Sequence, residues 1–267
     1  MNEDKKQIRL KILFAVLIIS AIGLAAEYYF IKPYTEAKPG RGRGKSSPVV
    51  PSPIPTPSIS ASRSPSPSPS PSPSPTNLFS DNFSGTLSKW DTVYTGYGTV
   101  AIENGLLSMA PMVAKAPSET HAPLVAVNAA SWNSAWKDYI YTVRMNTVQQ
   151  LRVGSTPNPW EVGWIVFRYK DAQNFYYFIQ KPNGIELGRV IPGSQRFMYT
   201  AETPRLSLNA WNTYKIAVKG ANIKISINGT QVVDYTDTAA DTILDGKIGL
   251  YNEDAHVHYD DVIVTSN

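Results

Sequence analysis

The stretch FRYKDAQNFYYFIQKPNG, Phe167 to Gly184, sets six aromatic rings among Arg168, Lys170, Gln180 and Lys181. Rings interleaved with such groups suit a sugar. The C–H faces of a pyranose lie on aromatic rings, and its hydroxyl rim needs the donors and acceptors that arginine and glutamine supply. The same composition suits a buried sheet layer with arginines as internal partners. Register separates the two, because successive strand side chains point to opposite faces and a slip of one residue exchanges every membership. With residues 170–174 as a loop, Tyr169 stands opposite Phe175. With Asn183-Gly184 as a two-residue turn, Pro182 stands opposite Ile185. Ile165, Phe167, Tyr169, Phe175, Tyr177 and Ile179 then share an apolar core face. Trp164, Arg168, Tyr176, Phe178, Gln180 and Arg189 share a mixed face. The expected ligand-binding set is Trp164, Arg168, Tyr176, Gln180 and Arg189, with Trp160 of the preceding STPNPW loop at the rim.

Other residues are candidates for catalysis or metal binding. Glycoside cleavage needs two carboxyl groups flanking one bond, and the strands around this platform each carry one glutamate, Glu161 and Glu186. They are the catalytic candidates if folding brings them together. Serine hydrolase chemistry lacks a G-x-S-x-G elbow, and the sequence has only three histidines, His121, His256 and His258. On a strand HVHYDD, His256 to Asp261, would place His256, His258 and Asp260 on one side, as a metal site requires, and Ala255, Val257 and Tyr259 on the other. A half-buried strand with a solvated polar side explains that alternation equally well. No phosphate loop or dinucleotide fingerprint is present.

The elements that position these residues read as strands. From Asn77 onward, short runs rich in Val, Ile, Tyr and Phe alternate with Gly, Asn, Asp and Pro. Asn183-Gly184 and Asn228-Gly229 each sit between alternating runs, the signature of a tight hairpin turn. No segment after Asn77 has a helical period. Ten or more strands in about 190 residues imply two packed antiparallel sheets, an all-β sandwich or jelly roll.

At this level the sequence resembles the concanavalin A-like lectin/glucanase jelly rolls. NLFSDNFSGTLSKWDTV, Asn77 to Val93, is similar to their opening strand, and VGWIVFRYKDAQNFYYF, Val162 to Phe178, to their paired central strands. LNAWNTYKIAVKGANIKISINGTQVVDY, Leu208 to Tyr235, and GKIGLYNEDAHVHYDDVIV, Gly246 to Val264, are similar to their closing elements. Within that superfamily the resemblance points to the family 16 glycoside hydrolase-like, or 3-keto-disaccharide hydrolase, domain group. It implies a fold far more than an activity, since the superfamily holds lectins, binding modules, glycosidases and lyases. The Glu-x-Asp-x-x-Glu and Glu-x-Asp-x-Glu motifs of the retaining glucanases are absent. The resemblance also implies a structural Ca²⁺ tying the chain ends, with Asp81, Asp260 and Asp261 as ligands.

The first 76 residues differ in kind. Residues 1–76 hold ten Lys/Arg against four Asp/Glu, whereas residues 77–267 hold fifteen against seventeen. The basic balance therefore belongs to the leading segment, and the folded part lacks the basic face that nucleic acid requires. Ile12 to Ala26 is an uncharged apolar run; extended to Ile31 it makes a helix of ~30 Å, one hydrocarbon core. Lys5, Lys6, Arg9 and Lys11 precede it, as the positive-inside rule requires of a cytoplasmic end. Residues 1–37 thus read as a signal anchor, with a cleaved signal peptide as the alternative. Residues 38–76 read as a disordered Pro/Ser linker whose Ser-Pro repeat, Ser64 to Pro75, extends over ~37 Å as polyproline. The sequence contains no cysteine, which excludes disulfides, thiolate metal sites and a lipoprotein cysteine. The expectation is a membrane-anchored, extracytoplasmic jelly roll, residues 77–267, that binds an oligo- or polysaccharide without catalysis. The alternatives are a glycoside or 3-keto-disaccharide hydrolase, and an adhesive wall protein with a protein partner.

Overall fold

The computed structural model describes residues 75–133 and 136–267. The expected anchor, and the linker up to residue 74, lie outside the described residues. Among the described residues no helix is long and apolar enough to cross a membrane. The regular elements are fifteen strands: β1 (Asn77–Asp81), β2 (Trp90–Thr95), β3 (Thr99–Glu103), β4 (Leu106–Ala110), β5 (Pro123–Val127), β6 (Tyr139–Gln150), β7 (Gly163–Asp171), β8 (Asn174–Lys181), β9 (Gly184–Ile191), β10 (Ser194–Ala201), β11 (Asn212–Lys219), β12 (Asn222–Ile227), β13 (Thr230–Thr236), β14 (Lys247–Asn252) and β15 (Ala255–Ser266). They form two antiparallel sheets. One has eight strands in the order β13-β12-β11-β6-β15-β4-β3, with β1 paired to β15; the other has seven, in the order β10-β9-β8-β7-β14-β5-β2. This is the two-sheet jelly roll that the strand pattern predicts.

The main core lies between the sheets. Tyr141, Val143, Tyr214, Ile216, Val257 and Tyr259 of the eight-stranded sheet face Val125, Ile165, Phe167, Phe178, Leu187 and Leu250 of the seven-stranded one. Each fully buried aliphatic or aromatic side chain contributes roughly 1.5–3 kcal/mol of transfer free energy. A second apolar layer covers the opposite face of the seven-stranded sheet, so β7, β8 and β9 are buried on both sides. That is why Phe175 to Phe178 run as four consecutive rings rather than alternating with polar residues.

Two turns differ from expectation, and the connection from β7 to β8 changes which residues face outward. Asn228-Gly229 makes the predicted two-residue turn, with Ile227 paired to Thr230 and both turn residues at positive φ. Asn104-Gly105 makes the same turn between β3 and β4, a third Asn-Gly hairpin that the sequence reading passed over. At β8–β9, however, Lys181 pairs with Gly184, so Pro182-Asn183 form the loop. This shifts the pairing by two and preserves the faces. Gly184 there has φ 137°, and a Cβ on it would lie 2.0 Å from the carbonyl oxygen of Ala201.

At β7–β8 the loop is Ala172-Gln173, and a bulge lies between Phe167 and Asp171. Arg168 takes φ 50° at that bulge, a left-handed conformation that non-glycine residues rarely adopt. Its amide donates to Tyr139 Oη at 3.0 Å, and Gly246 packs directly on its backbone. The bulge sets residues 168–170 against Phe175 alone, and beyond it the pairing stands one residue from that expected, so Ile165 pairs with Phe178 and Trp164 with Ile179. Ile165 and Phe167 therefore share the inter-sheet core with Tyr176 and Phe178, while Trp164 shares the outer face with Tyr177.

Candidate functional site

The bulge divides the expected ligand-binding set, and four of its six members belong to the interior. Arg168 is fully buried; its guanidinium donates to the carbonyls of Ile243 (2.9 Å), Lys137 (3.1 Å) and Gly220 (2.6 Å), clamping three loops at one end of the sandwich. Gln180 accepts from Tyr214 Oη at 2.7 Å across the sheets and donates to the Arg205 carbonyl. Arg189 bonds Asp237 and Asp241, and Asp237 also accepts from Tyr176 Oη at 2.5 Å. Apart from Arg168 Nε, which is buried without a hydrogen-bond partner, these polar groups find their partners inside the fold. Arg168, Tyr176, Gln180 and Arg189 are structural, which corrects the sequence expectation.

Trp164 and Trp160 lie elsewhere, on the outer face of the seven-stranded sheet. Trp164 sits between two tyrosines, 4.6 Å from the Tyr177 ring and 5.1 Å, edge-on, from Tyr251. Its indole Nε1 donates to the Trp160 carbonyl at 2.9 Å. Tyr177 Oη donates to Glu186 Oε1 at 2.8 Å and accepts from the Gln195 amide, and Lys181 Nζ binds the other Glu186 oxygen at 2.5 Å. Gly188 makes room for the phenol, since a Cβ there would lie 2.2 Å from Tyr177 Oη. Burial holds the Tyr177 and Tyr251 hydroxyls well above the usual phenol range, with nearby carboxyls adding to the effect, so both remain protonated donors.

A carboxyl cluster adjoins these rings where the chain passes from β14 to β15. Glu253 N–H donates to the Val162 carbonyl at 3.3 Å, which ties that link to the residues just before Trp164. Arg152, on the β6–β7 loop, donates through Nε to Glu161 Oε1 (2.6 Å) and through Nη2 to Asp254 Oδ2 (2.8 Å). Its remaining bonds hold the carbonyls of Ala116 and Glu119 on the β4–β5 loop. Asp254 Oδ1 accepts from the His121 amide at 2.8 Å. One guanidinium thus locks three connections around the site. Glu253 makes no ion pair with Arg152 and bonds the Tyr251 hydroxyl instead. Burial, then Asp254 and Glu161, push its carboxyl well above the usual range. Burial also raises Asp254 to about 6, opposed by the His121 amide and Arg152. Three buried polar atoms of this region have no hydrogen-bond partner: His121 Nδ1, Glu161 Oε2 and Asn252 Oδ1.

Of the two catalytic candidates, Glu161 belongs to this cluster and Glu186 to the Tyr177 hydroxyl, which Glu186 affects much more than Glu253 does. The sequence reading missed Glu253, Tyr177, Tyr251, Arg152 and Asp254. The available signal was parity, because Trp164 fixes the outer face of β7 and its neighbour Tyr251 fixes that of β14.

The metal candidates do not converge. Asp81 accepts from the Phe83 amide (3.0 Å) and Trp90 Nε1 (2.9 Å), while Asp260 and Asp261 both bind Arg144. These side chains do not fit a calcium cage, which takes six to eight oxygens. His256 and His258 do share a face, with rings 4.7 Å apart, but His256 Nε2 contacts Ser108 Oγ at 3.1 Å and Asp260 turns to Arg144. Among the described residues no group of three or more His, Cys, Asp or Glu is arranged to hold a metal ion.

The fold is that of a concanavalin A-like jelly roll. Solved structures similar to it include the following two. The carbohydrate-binding module CBM66 from Bacillus subtilis matches at TM-score 0.51 and 20% identity over 67% of this chain and 96% of its own. A Bacillus subtilis protein of unknown function with a galectin-like fold matches at TM-score 0.55 and 11% identity over 72% and 97%. No curated protein matches the chain. The family is given by the 3-keto-alpha-glucoside-1,2-lyase-like domain, whose model matches residues 74–265; the chain belongs to that family.

Proposed function

We propose that residues 77–267 bind a saccharide on the outer face of the seven-stranded sheet, held outside a membrane by the segment of residues 1–37 and the Pro/Ser linker. The observation that carries this reading is the Trp164 ring set between Tyr177 and Tyr251, with carboxyl groups at both ends of the row. Trp164, Tyr177 and Tyr251 are 6%, 0% and 4% exposed, so the row backs the site, and the partly exposed Trp160 that Trp164 holds through its carbonyl offers a sugar the apolar ring. The likeness to a carbohydrate-binding module supports it. The test is a glycan array probed with the full chain. Trp164→Ala should abolish binding, whereas Arg189→Lys, a change inside the fold, should leave glycan selectivity as it is in any folded sample. Binding that survives Trp164→Ala refutes the placement.

A second reading, elimination from a 3-keto glucoside, is favoured by one observation beyond the family model. Tyr177 lies near two carboxyls in different settings, Glu186 paired with Lys181 and Glu253 raised by burial well above the usual range. Such an elimination needs one base and one acid. A 3-keto group acidifies the C2 proton. Glu186 would take that proton as the C1–O bond breaks and Glu253 would protonate the departing oxygen, leaving a C1–C2 double bond. Release of the aglycone from a 3-keto glucoside by the wild type, lost in both Glu186→Gln and Glu253→Gln, would establish this reading; no release refutes it.

A further inference from the structure

Among the described residues, the large apolar side chain with the greatest exposure is Tyr97, at 71%. It stands on the turn that carries the chain from β2 in one sheet to β3 in the other. Gly98 N–H donates to the Thr95 carbonyl at 3.2 Å across this turn, and its central residues, Gly96 and Tyr97, have φ 60° and 59°. A turn with positive φ at both central residues favours asparagine and glycine, and a bulky side chain there is strained. The backbone has no room to relax. A Cβ on Gly98 would lie 2.1 Å from the Ala110 carbonyl oxygen and one on Gly96 2.9 Å from the Ala122 amide nitrogen, while Met112 N–H donates to the Gly96 carbonyl at 3.0 Å. The ring itself meets His121, which is 7% exposed, edge-on at 89° with centroids 5.8 Å apart. A strained backbone thus holds an exposed ring in one place, and strain of this kind clusters where ligands are held.

The network that fixes the loop of Trp160 also fixes this ring. Arg152 donates to Glu161 Oε1, next to Trp160, at 2.6 Å and to Asp254 Oδ2 at 2.8 Å, and Asp254 Oδ1 accepts from the His121 amide at 2.8 Å. Both rings therefore stand on loops tied together by one guanidinium, at the end of the sandwich where β15 begins. The linker joins at the other end, where Ser266 N–H donates to the Thr76 carbonyl at 2.9 Å. The twelve residues of β15 separate the two ends by up to about 40 Å. Resting on the saccharide reading above, we propose that Tyr97 is a second ring platform of the same site, so that the domain takes an oligosaccharide segment across Trp160 and Tyr97 rather than a single terminal sugar. Tyrosine suits this part, because the C–H face of a pyranose lies on its ring and the phenol hydroxyl serves the sugar's rim. A ring already fixed by the fold also loses little freedom on binding.

Gluco-, xylo-, manno- and galacto-oligosaccharides of one to six units test this, probed with the full chain and with Tyr97→Asn, Tyr97→Phe and Leu244→Ser. In a series that binds, the wild type should gain at least tenfold in affinity from the shortest bound member to the hexamer. Tyr97→Asn should cut that gain to less than threefold and leave the shortest member bound as before, whereas Tyr97→Phe should keep the gain. Leu244→Ser, an exposed apolar residue at the end that Arg168 clamps, should change nothing. Because asparagine accepts the left-handed backbone, Tyr97→Asn should melt no lower than the wild type; a fall of more than ~4 °C would make the ring a packing element and overturn the proposal. A wild type whose affinity does not grow with length, or a gain that survives in Tyr97→Asn, overturns the proposal and leaves the saccharide reading intact. An equal loss in Leu244→Ser reduces the effect to general hydrophobic attraction and overturns it. Absence of binding in every series overturns the proposal, and absence there and on the glycan array overturns the saccharide reading with it.

Discussion

Replacing Glu253 by glutamine converts the surroundings of this carboxyl into a pH dependence of stability. The side chain is almost wholly buried, and Arg152 directs its bonds to Glu161, Asp254 and two carbonyls rather than to Glu253. A carboxyl whose pKa is raised by folding stabilises the native state in full below its unfolded value, about 4.3 for glutamate. Above that pH the unfolded chain releases the proton first. Stability then falls by about 1.4 kcal/mol per pH unit until the folded pKa is passed. For Asp254, raised from 3.8 to about 6, the whole loss is on the order of 3 kcal/mol, and Glu253 adds to it with the same sign. Glutamine keeps the shape, removes the titration and takes one like charge away from Asp254. At pH 4 the two proteins should agree within about 0.5 kcal/mol. From pH 4.5 the variant should gain on the wild type at about 1.4 kcal/mol per unit at first. Urea unfolding of the full chain, followed by tryptophan fluorescence between pH 4 and 7.5, measures this, because all six tryptophans lie in residues 77–267. Parallel pH curves, or a variant that falls behind the wild type as pH rises, would refute the argument.

Three further outcomes follow from the packing. Arg168→Met strips three loop carbonyls of their donor and should cost about 3–5 kcal/mol, as removal of a buried charge partner does; a loss under 1 kcal/mol in chemical denaturation would restore Arg168 as a candidate ligand residue. Gly188→Ala places a methyl against Tyr177 Oη and the Arg196 carbonyl, 2.2 and 2.7 Å from the ideal Cβ position. It should cost about 1–3 kcal/mol by overpacking and weaken glycan binding by displacing Tyr177 from Glu186, read by melting and by the array. Asp81→Ala removes the acceptor of the Phe83 amide and Trp90 indole, and should lower the melting temperature equally in calcium and in EDTA; a calcium-dependent difference would show that Asp81 is a metal ligand after all.

Much of the fold was legible because its signals are local. Asn228-Gly229 fixes a hairpin by backbone conformation alone, and the alternation of residues 255–260 appears directly as alternating burial along β15. The site was legible only in part. Trp164 and Glu186 could be singled out by type, yet their neighbours depended on pairing across β7 and β8. That pairing turns on a bulge at Arg168, an arginine at positive φ held by Tyr139 and Gly246, 29 residues before it and 78 after. No local pattern announces such a bulge. Both faces of β7 to β9 being buried removed the other guide, since neither face could be recognised by contact with water.

What distinguishes the two buried polar networks is completeness rather than burial or charge. Between the sheets, Arg189 is answered by Asp237 and Asp241, Gln180 by Tyr214 and Arg205, and Tyr176 by Asp237. Such a network has no further valence for a ligand, and its polar atoms are explained by the fold alone. On the outer face Arg152 answers Glu161 and Asp254 at one oxygen each, but Glu161 Oε2 and His121 Nδ1 have no hydrogen-bond partner, His121 Nδ1 standing 3.8 Å from Asp254 Oδ1. A desolvated acceptor left unpaired costs about 1–3 kcal/mol, a cost that folding alone would remove by substituting an apolar residue. That deficit, together with the exposed Tyr97 ring packed edge-on against His121 at the margin of the cluster, sets this network apart from the one between the sheets. Within the aromatic stretch from Phe167 to Gly184 it is Tyr177 that bridges Trp164 and Glu186, its ring packed on the one and its hydroxyl bonded to the other.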